Sequence, residues 1–135
     1  MAILVLAIML VPGVSAQDDN YTVTPGKAGL QPVIVPLTVG TIVQGETDWF
    51  SFYVPSGTTS ITTDLNWGNP SNSLSLAAIA PDGTIGPLYD SADGAVDGRI
   101  FVTISRAGGL APGIWNFRVY GESVSGVQSY NFVAY

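Results

Sequence analysis

Alternation of large apolar and polar side chains is the strongest signal in the chain. In Trp49-Phe50-Ser51-Phe52-Tyr53-Val54, residues Phe50, Phe52 and Val54 point one way and Trp49, Ser51 and Tyr53 the other, the two-residue period of a strand. The polar turn Gly45-Glu46-Thr47-Asp48 precedes it. Three apolar groups on one face need a second sheet to cover them, so the stretch reads as a central strand of a sandwich. The same period recurs at Ile61, Thr63, Leu65 and Trp67; at Leu74, Leu76 and Ala78; at Ile100, Val102 and Ile104; at Trp115, Phe117 and Val119; and at Tyr130, Phe132 and Ala134. Leu110 sits in a turn region as a core plug. Turns follow at Pro55-Ser56-Gly57, Pro81-Asp82-Gly83 and Pro112-Gly113, and Gly86 to Gly98 reads as one long loop. The expected fold is all-β: an antiparallel, jelly-roll-like β-sandwich of roughly seven to eight strands.

The N-terminal third is less regular. Met1 to Ala16 carries a short apolar run, a Pro12-Gly13 break and the small residues Val14-Ser15-Ala16 before a polar start at Gln17. That is a signal-peptide pattern with cleavage after Ala16, although a basic n-region is missing; the alternative is an uncleaved anchor or a pilin-type helix. The run is too short to span a bilayer, so no stable membrane span is expected after cleavage. Residues 17–32 read as a polar linker and residues 33–135 as the sandwich domain. Pro36 makes Val33 to Val39 an edge strand, or two short strands. Asn20-Tyr21-Thr22 has the form of an N-glycosylation sequon, a triplet that is also common by chance.

Composition narrows the chemistry. The 135 residues contain neither cysteine nor histidine, which excludes thiol nucleophiles, Ser-His-Asp triads and thiolate zinc sites. Net charge is −6, and the four basic residues are dispersed, so neither nucleic acid nor an anionic membrane is an expected partner. No paired carboxylates in a glycosidase arrangement stand out, and no catalytic residue is assigned.

Two candidate sites remain. Trp49, Tyr53 and Tyr120 are aromatic residues on outward positions, where rings stack on sugars or meet a partner protein; the alternatives are cross-strand pairing on a partly covered face or burial under the Val33 segment. Asp90, Asp93 and Asp97, with Asp82 nearby, gather negative charge in one loop and suggest calcium. The loop lacks the alternating acids of an EF-hand, and Asp and Gly are ordinary turn formers, so at most a weak calcium site and no resident cofactor are expected.

Three stretches taken in order resemble the bacterial and archaeal pre-peptidase C-terminal domain. They are Gly45-Glu46-Thr47-Asp48-Trp49-Phe50-Ser51-Phe52, the strand from Leu74 to Pro81-Asp82-Gly83, and Leu110-Ala111-Pro112-Gly113-Ile114-Trp115-Asn116-Phe117-Arg118-Val119, where Trp115 replaces the usual tyrosine. Tyr130-Asn131-Phe132-Val133 fits the closing strand. The resemblance implies a jelly-roll-like sandwich of the kind appended to secreted proteases and other hydrolases, some members of which bind polymers or calcium. The expected function is a non-catalytic, secreted or cell-surface module that binds a polymer or a neighbouring surface protein. The alternatives are a structural subunit of a surface layer or filament, with residues 17–39 as an exchanged strand, and an accessory domain of a secreted hydrolase.

Overall fold

The computed structural model describes the backbone of residues 15–16 and the whole of residues 21–27 and 37–135. The strands are β1 (Ser15–Ala16), β2 (Thr22–Pro25), β3 (Thr38–Ile42), β4 (Thr47–Val54), β5 (Ser60–Asn66), β6 (Ser73–Ala80), β7 (Gly83–Leu88), β8 (Arg99–Ser105), β9 (Gly113–Ser123) and β10 (Gln128–Ala134). They form two antiparallel sheets, one in the order β1-β2-β8-β5-β10-β3 and one in the order β4-β9-β6-β7. The fold is the expected β-sandwich.

The alternation read from the sequence faces as expected. Ile61, Leu65, Ile100, Val102, Ile104, Tyr130 and Phe132 from the larger sheet meet Val54, Leu74, Leu76, Ala78, Trp115, Phe117 and Val119 from the smaller one, all buried in one core. Leu110 is buried there too, as expected of a plug. Each such side chain contributes about 1.5–3 kcal/mol on leaving water, which is what holds the sheets face to face.

Three features differ from the sequence reading. First, β4 is not a central strand. Among the described residues it pairs with β9 alone and is the edge of the smaller sheet. Phe50 and Phe52 are consequently half-buried rather than buried. Phe50 stacks on Phe132 at 5.1 Å and meets Tyr130 edge-on at 6.3 Å.

Second, Tyr21 to Pro25 belongs to the larger sheet rather than to a linker, paired with β8 from Thr22↔Ser105 to Pro25↔Val102. Tyr21 is fully buried, its ring edge-on to Trp115 at 5.4 Å. The Tyr21 hydroxyl donates to Asp82 at 2.9 Å and accepts from the Ala111 amide at 3.2 Å. Arg106 lies over the ring at 4.2 Å and pairs with Asp82 at 2.9 Å. One aromatic residue thus ties β2 to the turns of the opposite sheet. Third, the segment read as a long loop from Gly86 starts with the end of β7, which tolerates Pro87 because it is an edge strand. Val33 to Pro36, most of the expected first strand, lies outside the described residues, as do Asn20 and residues 1–14.

Candidate functional site

The outer face of the smaller sheet is built by β4 and β9, in unbroken register from Thr47↔Tyr120 to Val54↔Gly113. The period of two that turns Phe50, Phe52, Trp115 and Phe117 inward turns Trp49, Ser51 and Tyr53 of β4 and Ile114, Asn116, Arg118 and Tyr120 of β9 outward. Trp49 is 56% exposed, Tyr53 60% and Ile114 54%, large apolar groups left in water on one face. Tyr53 stands opposite Ile114 and Trp49 opposite Arg118. Tyr120, opposite Thr47, is half-buried. All three aromatic residues singled out in the sequence therefore lie on this face. Ile114 and Arg118 join them, carried by the same alternation that faces Trp115 and Phe117 inward.

Between the two exposed rings the face is polar. The Ser51 hydroxyl donates to Asn116 Oδ1 across the strands at 3.0 Å. Further in, β6 contributes Ser75 and Ala77, opposite Tyr120 and Arg118, both small and buried beneath their neighbours. Ser75 donates to Glu122 at 2.8 Å. The buried Nε of Arg118 has no hydrogen-bond partner among the described residues. The arrangement offers flat rings, hydrogen-bonding groups between them and one cation.

Beside the edge of β4 turned away from β9 the sandwich opens. A groove of about 260 Å³ is lined by Phe50, Ser51 and Phe52 on one side and by Thr38, Phe132, Val133 and Ala134 on the other. Behind it, the Tyr130 hydroxyl donates to Asp48 Oδ2 at 2.5 Å. Burial, reinforced by that carboxylate, raises the Tyr130 phenol well above its ordinary pKa.

The acidic loop has a different architecture. Asp90 is buried at the start of a 3₁₀ turn, Asp90–Asp93, and its carboxylate accepts from the amides of Asp97, Gly98 and Arg99 at 3.2, 2.9 and 3.2 Å. Asp93 accepts from the amides of Ala95 and Phe101 at 3.2 and 3.0 Å. Asp97 is exposed. Gly98 has φ +80° and a Cβ there would lie 2.6 Å from the Asn69 nitrogen, so only glycine lets the loop pass this close. Arg99 closes the loop onto β5 with a two-pronged pair to Asp64 at 2.7 and 2.9 Å. The three acids are thus not brought to one point, and no group of three metal-ligating side chains forms among the described residues.

The comparisons with known proteins agree with this architecture. The bacterial pre-peptidase C-terminal domain matches residues 46–121, more than half of the chain. The chain belongs to that family. A protein of Archaeoglobus fulgidus described as uncharacterized is 49% identical over 43 residues, which cover 32% of this chain and 59% of that protein. The chain therefore aligns with less than two thirds of that relative's length. Among solved structures, that of the Clostridium perfringens CspB protease superposes with a TM-score of 0.55 and 13% identity over 73% of this chain and 24% of the protease chain. At that identity the likeness concerns the fold. No helix among the described residues is long and apolar enough to cross a membrane.

Proposed function

We propose that this chain is a non-catalytic module of a secreted or cell-surface protein that holds a polysaccharide on the outer face of its smaller sheet. The observation that carries the reading is the exposure of Trp49 and Tyr53 together with Ile114 on one rigid face. Trp49 and Tyr53 are four residues apart on one strand, hence about 13 Å along it, a spacing that suits ring contacts to separate sugars of one chain. Ser51 and Asn116 lie between them to meet hydroxyl groups. Aromatic rings bury the apolar faces of pyranoses with little loss of side-chain freedom. The signal-peptide pattern of Met1 to Ala16 supports the location. A role beside a secreted hydrolase is a narrower form of the same reading, supported by family membership and by the fold shared with a protease.

The test is retention of the purified protein on insoluble polysaccharides and on fibrous proteins. The expected result is retention on at least one polysaccharide, reduced at least about tenfold in Trp49→Ala/Tyr53→Ala, the loss of about 1.4 kcal/mol or more. Retention on fibrous protein alone would make the partner a protein, and the absence of any retention would remove the reading.

A further inference from the structure

We propose that the edge of β4 that pairs with no strand among the described residues is a self-association surface, where a second copy of this chain pairs antiparallel across a two-fold axis at Ser51. Native edges are shortened, bulged, covered by a loop, or guarded by Lys, Pro or an inward-pointing charge. At the other side of the same sheet β7 carries Gly83, Gly86 and Pro87, and its register to β6 shifts between Leu76 and Ala78. The edge strand β3 is five residues long and contains Gly40. In contrast, β4 is eight residues long, has no Lys, Arg, Pro or Gly, and pairs with β9 without a bulge.

The sequence of that edge is also close to its own mirror image. Around Ser51 it reads aromatic, Phe, Ser, Phe, aromatic: Trp49-Phe50-Ser51-Phe52-Tyr53. A two-fold axis at Ser51 sets Trp49 opposite Tyr53 of the partner subunit and Phe50 opposite Phe52 of the partner subunit. Cross-strand aromatic pairs of this kind stabilise antiparallel sheets. The one charge on the strand, Asp48, faces inward, is bonded to the Tyr130 hydroxyl, and falls opposite the partner's Val54 rather than opposite its own copy, so the two-fold creates no like-charge pair. On the inner side, the groove lined by Phe50, Phe52 and Phe132 runs along the same edge. Pairing would cover the half-exposed phenylalanines of both copies at once, as an isologous interface requires. The two four-stranded sheets would become one eight-stranded sheet. Its outer face would carry a continuous row of four rings, two from each copy.

Pairing through one edge buries a small area, so the expected dissociation constant is on the order of 10⁻⁵ M. With net charge −6 on each copy, association should strengthen as salt is added. Sedimentation of the mature protein across a concentration series measures it. Ser51→Lys, which sets two ammonium groups against each other at the axis, should weaken the dimer at least about tenfold while leaving the melting temperature of the monomer unchanged. Thr84→Lys, on the opposite edge strand β7, should leave it intact. A second variant reads the register directly. Paired Cα atoms in an antiparallel ladder lie about 4.5–5.5 Å apart, within disulfide reach, and the chain has no other cysteine. Ser51→Cys should cross-link under mild oxidation at least about tenfold faster than Ser91→Cys on the exposed 3₁₀ turn. A monomer at about 1 mM, on the order of a hundredfold above the expected constant, would overturn the proposal. So would a dimer indifferent to Ser51→Lys, or equal cross-linking at the two positions. None of these readouts depends on polysaccharide, so this inference and the binding reading can fail separately.

Discussion

Replacing Tyr130 by Phe isolates a single polar link inside the sandwich. Tyr130 is 2% exposed, and its hydroxyl donates to Asp48, which stands at the start of the edge strand. Tyr130→Phe keeps the ring and its contact with Phe50 and removes only the oxygen. A hydrogen bond to a charged group contributes about 1.5–3 kcal/mol, so a loss of about 2 kcal/mol is expected near pH 7. The pH dependence gives the sharper test. In the unfolded chain the phenol ionises near pH 10. Burial and the Asp48 carboxylate raise that ionisation in the folded state. Above pH 10 the unfolded chain therefore binds fewer protons than the folded one, and stability falls as pH rises. Below pH 10 the contribution of the pair is fully present. At about pH 11 one such group lowers wild-type stability by about 1.4 kcal/mol, a term absent from the variant. Tyr21 and Tyr135, also raised chiefly by burial, remain in both proteins and cancel. Urea melts followed by tryptophan fluorescence should thus show a difference of about 2 kcal/mol at neutral pH shrinking to roughly 0.6 kcal/mol at pH 11. A difference that stays constant, or grows, over that range would refute the assigned link.

Asp90→Asn removes the charge from a buried group that accepts three backbone amides, and should cost about 2–3 kcal/mol in denaturant melts. Calcium at about 1 mM should shift the wild-type melting temperature by less than about 2 °C relative to chelator, because a ligand at its dissociation constant adds only about 0.4 kcal/mol; a large rise lost in Asp93→Asn would make the loop a metal site. N-terminal sequencing of protein secreted by its host should begin at Gln17, so that the mature protein lacks the two-residue edge strand β1, and an intact Met1 on mature material would contradict the signal-peptide reading.

Side-chain alternation made most of the sandwich legible. It faced β5, β8, β9 and β10 without any knowledge of their partners, since burial of one face is a property of the strand itself. Strand order is not. Nothing local in Trp49 to Val54 distinguishes a central strand from an edge one, because three inward apolar residues suit both. Thr22 to Pro25 is too short to display a period, and what fixes it is the burial of Tyr21 against Trp115 and the turns at Asp82 and Ala111. Gly86 and Pro87 disguised β7. At the candidate site, outward alternation identified Trp49, Tyr53 and Tyr120. The same alternation assigns Ile114 and Arg118 to that face, but only the register of β4 on β9 brings them beside the rings. The role of Asp90 had no sequence signal, since an acid that caps backbone amides looks like any other loop aspartate.

The central claim is that the outer face of β4 and β9 is where the polysaccharide lies, and the three tryptophans offer a direct reading of it. Trp67 and Trp115 are buried, at 6% and 0% exposure, whereas Trp49 is 56% exposed. Iodide should therefore quench essentially the Trp49 fraction of the fluorescence. In the presence of a soluble fragment of a retaining polysaccharide, that fraction should become protected, and Trp49→Phe should abolish both the quenching and the protection. Binding that leaves iodide quenching of Trp49 unchanged would place the ligand elsewhere on the protein and contradict the account.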